Sequence, residues 1–273
     1  MNRDDLSPDL RALLDTVPDA PVTTADVVYD EGGTALEGFL AGPTDASGTD
    51  APATGAGAGG LPAALLVHDW YGVVDHVRVR AEMLARLGVV ALAADVYGQG
   101  VRPGPDEAAD AAGRFYGDVD LFRARLAAGL ERLRAEPGVD PARVVVMGWC
   151  FGGSGALELA RAGADVAGVV SFHGGLGTSA PAEKGAVRAP VLVLTGAADP
   201  IVPDEAVAAF QDEMRDAGAP DWQVVTYSDA MHAFAVPGTD APDHGARYQA
   251  VADRRSWAAM TAFVDEVAGL PRR

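Results

Sequence analysis

Arg143-Val144-Val145-Val146-Met147-Gly148-Trp149-Cys150-Phe151-Gly152-Gly153-Ser154-Gly155-Ala156-Leu157-Glu158-Leu159-Ala160 is the stretch that decides how this chain is read. Arg143–Met147 is apolar and β-branched after its first residue, the pattern of a strand buried on both faces. Ser154–Ala160 reads as a helix, so Gly148–Gly153 must make a sharp turn between strand and helix. Gly148 and Gly152 suit that turn because a side chain at either would collide with the turn or with the neighbouring strand. The turn lifts the Cys150 sulfur above the sheet edge, and the helix aims its positive N-terminal end at it. The backbone N–H of Phe151 then points to where an oxyanion would form. A lone cysteine is most often a small buried hydrophobe. The strand, the double glycine and the helix around this one favour a nucleophile.

Outward from the turn, short apolar strands alternate with helices. Ala63–Val67 precedes a helix over Val77–Leu87, and Val89–Ala93 precedes a helical region around Asp106–Glu136. Val166–Ser171, Val191–Leu194 and Gln223–Tyr227 supply further strands, with helices near Asp204–Ala217 and Ala246–Val267. Thr24–Tyr29 and Thr34–Ala41 read as a hairpin around Asp30-Glu31-Gly32-Gly33. The pattern predicts an α/β fold, a mostly parallel central sheet with helices on both faces, with ligands at the carboxyl ends of the strands. Residues 1–21 form an N-terminal helical extension, with Leu6, Leu10, Leu13 and Leu14 on one side of a short amphipathic helix. Residues 22–273 form a single domain, in which 43–60, rich in Gly, Ala, Thr and Asp, is a flexible loop insertion.

The composition excludes several classes. With 39 acidic against 21 basic residues the net charge is −18, which repels nucleic acid and anionic membranes. No run approaches the ~18–20 apolar residues that cross a bilayer, and Met1–Asp5 lacks the start of a secretory signal. One cysteine permits no internal disulfide, which suits a reducing cytoplasm. No metal-ligand spacing is present, since there is no His-x-x-x-His and no second cysteine. No metal and no cofactor is therefore expected, and the partner is a small molecule, bound by a monomer or a small homo-oligomer.

A nucleophilic cysteine needs a base, and the base needs an orienting acid. Asp199 follows the buried run Val191–Leu194, and His232 follows Gln223–Tyr227, so both fall beyond strand ends on the side of Cys150. Alone, Asp199 before Pro200 could stabilise a turn; together, in the order Cys150, Asp199, His232, the three read as a triad. His68 and His173 end strands at the site edge, where they line the pocket or orient loops. His76 and His244 read as surface.

These residues make the chain resemble the dienelactone hydrolase family of cysteine α/β-hydrolases, from about Thr24 to the C-terminus. The resemblance rests on His68-Asp69-Trp70-Tyr71-Gly72-Val73, Ala94-Asp95-Val96-Tyr97-Gly98, Gly148–Gly153, Phe172-His173-Gly174, Met231-His232-Ala233-Phe234 and Arg255-Ser256-Trp257. It implies the α/β-hydrolase fold, with Gly148–Gly153 as the nucleophile elbow, and hydrolysis of esters or lactones of the carboxymethylenebutenolidase class through a thioacyl enzyme. It also implies an oxyanion hole from the backbone N–H groups of Trp70 and Phe151, and a thiol-modulating carboxylate at Asp69. Better-known members carry Glu there, longer by about 1.5 Å. Bracing of its own loop is an alternative role for Asp69.

Archetypal members hold a substrate carboxylate with two arginines. One lies four residues after the catalytic histidine, where this chain has Val236. For the other the chain offers Arg114. The expected pocket, lined by Tyr71, Trp149, His173, Phe234 and Val236, is accordingly more apolar. A second reading keeps the fold without turnover, as a binding module or a thiol sensor using Cys150.

Overall fold

The computed structural model describes residues 3–44 and 60–271. Of the predicted insertion over 43–60, residues 45–59 lie outside the described residues. The strands are β1 (Val22–Glu31), β2 (Thr34–Pro43), β3 (Leu61–Val67), β4 (Val90–Ala94), β5 (Val139–Trp149), β6 (Gly168–Phe172), β7 (Val191–Gly196) and β8 (Trp222–Tyr227). They form one eight-stranded sheet in the order β1-β2-β4-β3-β5-β6-β7-β8. β1 and β2 pair antiparallel, β2 meets β4 antiparallel, and every pair from β4 across to β8 is parallel.

Helices on both faces bury the sheet, which is why β4, β6 and β7 are buried along their whole length, largely by apolar residues without alternation. On one face, α2 (Asp75–Arg86) and α7 (Ala250–Ala268) cover Leu66, Ala93, Met147, Val170 and Leu192. On the other, α4 (Val119–Arg134), α5 (Phe151–Arg161) and α6 (Asp204–Ala217) cover Leu65, Val146, Val169 and Val193. The chain leaves β3 toward β4 and returns to β5 on the opposite side of β3. That reversal of strand order opens a crevice at the carboxyl ends of β3 and β5, and the elbow stands there.

Three local readings are refined. The predicted helical region over 106–136 is two helices, α3 (Ala108–Gly117) and α4. Asp118 divides them, because its carboxylate accepts from the Leu121 N–H (3.0 Å) and caps α4. The final helix starts at Ala250, not Ala246, because Ala246–Arg247 pairs with Asp240–Ala241 in a small ribbon. At the N-terminus the predicted helix is α1 (Pro8–Leu14), preceded by a 3-10 turn over Arg3–Asp5. Leu6, Leu13 and Leu14 bury themselves on Val79 and Met83 of α2. The hairpin turns on Gly32 and Gly33, both with positive φ, and Asp30 accepts from the Gly33 N–H.

Candidate active site

Cys150 lies between β5 and α5 with φ 54° and ψ −116°, a conformation costing about 1–3 kcal/mol for a residue with a side chain. Its neighbours impose it. The Cys150 N–H donates to the Phe172 carbonyl (3.0 Å), and the Ser154 N–H donates to the Cys150 carbonyl (3.1 Å). A Cβ on Gly148 would stand 2.2 Å from the Gly152 oxygen, and one on Gly152 would stand 2.1 Å from the Val67 oxygen. Both obstacles are backbone, so neither can rotate away. A Gly152→Ala protein must part α5 from β3, and we expect it to lose about 3 kcal/mol of stability or to fail to fold. Thermal unfolding followed by circular dichroism checks this; an unchanged midpoint would refute the packing argument.

The loops after β7 and β8 deliver the other two residues. Asp199 is buried. One carboxylate oxygen accepts from the N–H groups of Ile201 (2.8 Å) and Val202 (3.2 Å), and the other faces His232 Nδ1 at 2.9 Å. The His232 Nε2 lies 3.0 Å from the Cys150 Sγ. The backbone of His232 is pinned by the following loop: its N–H donates to the Gly245 carbonyl, and its carbonyl accepts from Arg247. Burial alone would lower the imidazole pKa. The hydrogen bonds to Asp199 and Cys150 outweigh burial and push it up to about 10.

Trp70 and Phe151 flank the elbow, and no backbone hydrogen bond among the described residues engages either N–H. The loop carrying Trp70 is fixed by His68. Its Nε2 accepts from the Val96 N–H (3.2 Å), which leaves the proton on Nδ1 for the Asp69 carbonyl. The Tyr97 hydroxyl donates to the Trp70 carbonyl (3.0 Å). Asp69 accepts from the Tyr71 N–H (2.9 Å), a local brace, while its other oxygen faces His76 Nδ1 at 3.6 Å.

His76 therefore does not stand at the surface: it is 6 % exposed and packs edge-on against Trp149. Its position near the start of α2 suggested solvent, but the helix turns this face toward β5. His244 is exposed.

The expected pocket residues separate into two groups. Trp70 is exposed and in edge-to-face contact with Tyr71, and Tyr71 and Val236 are half-buried. Trp149 and Phe234, expected at the mouth, are instead fully enclosed, as is the Phe151 ring. Trp149 stacks on Phe172, and Phe151 stacks on Phe122, because alternate residues near these strand ends fill the layers between sheet and helices. His173 is also buried, in the left-handed region at φ 39°, with its ring edge-on to His232 and Phe234. Burial, and then the neighbouring His232, hold its pKa well below the ordinary value. Arg114 is exposed on α3, its guanidinium over the Phe115 ring.

Sequence reading missed a groove of about 250 Å³ lined by Phe115, Tyr116, Val119, Phe122, Ser154 and Thr178. The Tyr116 hydroxyl meets the Ser154 Oγ at 3.3 Å, one helical turn beyond Cys150. Ser154 was legible as the residue four after the cysteine; nothing in the spacing marked Tyr116.

Among the described residues no group of three or more His, Cys, Asp or Glu side chains is placed to hold a metal, and no helix is long and apolar enough to cross a membrane. We expect prolonged EDTA treatment to leave the hydrolytic rate unchanged; a loss restored by zinc or manganese would reveal a metal requirement.

Comparisons with known proteins place the chain among relatives of one family. A family model described as the dienelactone hydrolase family matches residues 51–268. A protein of Salmonella typhimurium (strain LT2) described as "Putative carboxymethylenebutenolidase" is 28 % identical over 224 residues, spanning 77 % of this chain and 79 % of its own. A solved structure named m3DLH is 36 % identical, with a TM-score of 0.81 over 90 % of this chain and 99 % of its own. A dienelactone hydrolase-like promiscuous phosphotriesterase from metagenomic libraries is 35 % identical, with a TM-score of 0.79 over 90 % of this chain and 98 % of its own.

Proposed function

The chain belongs to the dienelactone hydrolase family and is a hydrolase of small-molecule esters or lactones, and from that premise we propose that Cys150, His232 and Asp199 are its catalytic triad. The observation that carries this reading is the continuous line from Asp199 through His232 to the Cys150 sulfur, with contacts of 2.9 and 3.0 Å. The sulfur attacks the substrate carbonyl while His232 holds the thiol proton. The tetrahedral oxyanion rests on the N–H groups of Trp70 and Phe151. Collapse breaks the ester C–O bond, and His232 passes its proton to the departing alkoxide. Water, deprotonated by His232, then attacks the thioester, and the thiol is regenerated as the acid leaves. Asp199 keeps the Nδ1 proton in place, so that Nε2 is free to shuttle. A nucleophile that must remain a reduced thiol suits the cytoplasm.

We further propose that the preferred substrates are neutral. The groove beside Ser154 offers aromatic and aliphatic walls for an acyl or alkoxy group. Its one carboxylate, Glu158, is already paired with Arg123 and Arg161. Val236 cannot pair with a carboxylate, and burying one without a cation is costly. The net charge of −18 also slows an approaching anion at low salt.

We expect a neutral lactone to have a higher kcat/KM than a carboxylated dienelactone of similar size, and Val236→Arg to shift the preference toward the anion. Initial rates at two ionic strengths decide it. A clear wild-type preference for the carboxylated lactone would show that Arg114 or another residue supplies the cation.

A further inference from the structure

His76 and Arg80, both buried on α2, take no part in the proposed chemistry. Arg80 is 1 % exposed. Its guanidinium donates to the Ala235 carbonyl (2.8 Å) and to the Asp253 carboxylate (2.5 Å), and it lies over the rings of Trp149 and Trp257. Asp253 takes a second bond from the Tyr248 hydroxyl (3.2 Å). The Arg80 Nε–H faces His76 Nε2 at 3.5 Å.

A guanidinium N–H can only donate. His76 must therefore present a lone pair at Nε2 and carry its proton on Nδ1, the atom that faces the free Asp69 oxygen. Among the described residues Nδ1 makes no hydrogen bond, and Asp69 at 3.6 Å stands just beyond hydrogen-bond reach, so the Nδ1–H acts on the carboxylate as an oriented dipole across that short gap. The groups around His76 are thus Asp69 from the loop after β3, Arg80 on its own helix, Trp149 from β5 and, behind Arg80, Asp253 from α7. His173 beyond them is kept uncharged by burial.

The arrangement has a consequence for the site. Asp69 sits in the loop that carries the Trp70 N–H, and Ala235 sits three residues after His232. One guanidinium therefore ties the loop of the oxyanion donor to the loop of the base, through His76 on one side and a carbonyl on the other. A carboxylate released from His76 would be free to turn toward the elbow, where its charge opposes both the thiolate and the oxyanion.

We propose that His76, with its tautomer set by Arg80, is a positioning residue that holds the Asp69 carboxylate on Tyr71 and away from the reacting sulfur. This rests on the reading of Cys150 as the nucleophile. His76 touches no reacting atom and acts through Asp69.

The test is a set of His76 variants assayed on a neutral aryl ester. His76→Phe keeps a ring against Trp149 and loses both polar contacts; kcat is expected to fall about tenfold with KM within about twofold of wild type. His76→Gln, whose carbonyl can accept from Arg80 while its amide donates to Asp69, should restore at least a third of the wild-type kcat. Adding Asp69→Asn to His76→Phe should recover most of the loss, because the freed charge is gone. A purely structural role would predict none of that recovery.

If His76→Phe does not fold, His76→Asn, too short to meet Arg80 and Asp69 at once, is judged by the same criteria. An unchanged kcat in His76→Phe, or a loss that Asp69→Asn deepens or leaves in place, overturns the proposal. Full activity in Cys150→Ala overturns the triad reading instead, whatever the His76 variants do.

Discussion

Replacing Cys150 by alanine is expected to lower kcat for ester hydrolysis by a factor on the order of 10⁴ or more, with the fold intact. Alanine is smaller than cysteine and reproduces the backbone contacts of the elbow, so the Phe172 and Ser154 hydrogen bonds remain. The residual rate comes from the oxyanion donors and from binding alone. Because Cys150 is the only cysteine, one equivalent of iodoacetamide should abolish activity in parallel with loss of the thiol, and mass spectrometry should find the label on that residue. Cys150→Ser should fold and turn over slowly, since a hydroxyl needs a stronger base than a thiol does. A Cys150→Ala protein as active as wild type would exclude both the nucleophile and the thioacyl intermediate. Binding without turnover by the wild-type protein would favour the sensor or binding-module reading.

Asp199→Asn should be nearly as damaging, with kcat/KM down by about 10³–10⁴. The two backbone N–H groups of Ile201 and Val202 hold one carboxylate oxygen and would hold the asparagine carbonyl in its place. The amide NH₂ must then face His232 Nδ1, which forces a lone pair there and puts the ring proton on Nε2. In that tautomer the imidazole cannot accept the thiol proton.

The pH dependence follows from the same contact. In the wild type, hydrogen bonding to Asp199 and Cys150 overcomes burial and raises the His232 pKa from its ordinary 6.5 to about 10. The imidazolium therefore persists far above neutrality, and activity that needs it as the acid for the leaving group is lost only as pH rises toward 10. The sign for stability is the same: a raised folded-state pKa stabilises fully below about 6.5, and the contribution disappears as pH climbs through the folded value. Asp199→Asn should move the alkaline limb of the kcat/KM profile down toward the ordinary histidine range and flatten the alkaline loss of stability. An alkaline limb at the same pH in both proteins would refute the assignment of Asp199.

The features legible in the chain are those decided within a few residues. The glycines around Cys150 are required by contacts inside one turn and with the adjacent strand. The buried runs Ala63–Val67 of β3, Val144–Met147 of β5 and Val191–Leu194 of β7 announce a covered parallel sheet because no polar residue interrupts them. Asp199 and His232 were found by the same local logic, since each lies a few residues past a strand end, where a parallel sheet collects its loops. The boundary at Asp118 was missed although its cause is local, because a cap inside a long helical pattern is easily read as one more polar position.

Other features depended on what faces what across the fold. Trp149 and Phe234 lie within two residues of Cys150 and His232 in sequence, yet their rings turn into the layer beneath α2 and α7. His76 looked like a solvated helix start until α2 laid it against Trp149 and beside Asp69. The Arg80 contacts join residues 155 and 173 positions apart, and the Tyr116 contact with Ser154 spans 38. No periodicity or motif encodes such pairs. The sequence by itself determined the strained turn, the parallel sheet and the order of the three residues, because short-range sterics and continuous burial leave little choice. Only the tertiary structure decided which aromatic rings are walls and which are core, and which buried charges hold the site, because those outcomes depend on desolvation by elements distant along the chain.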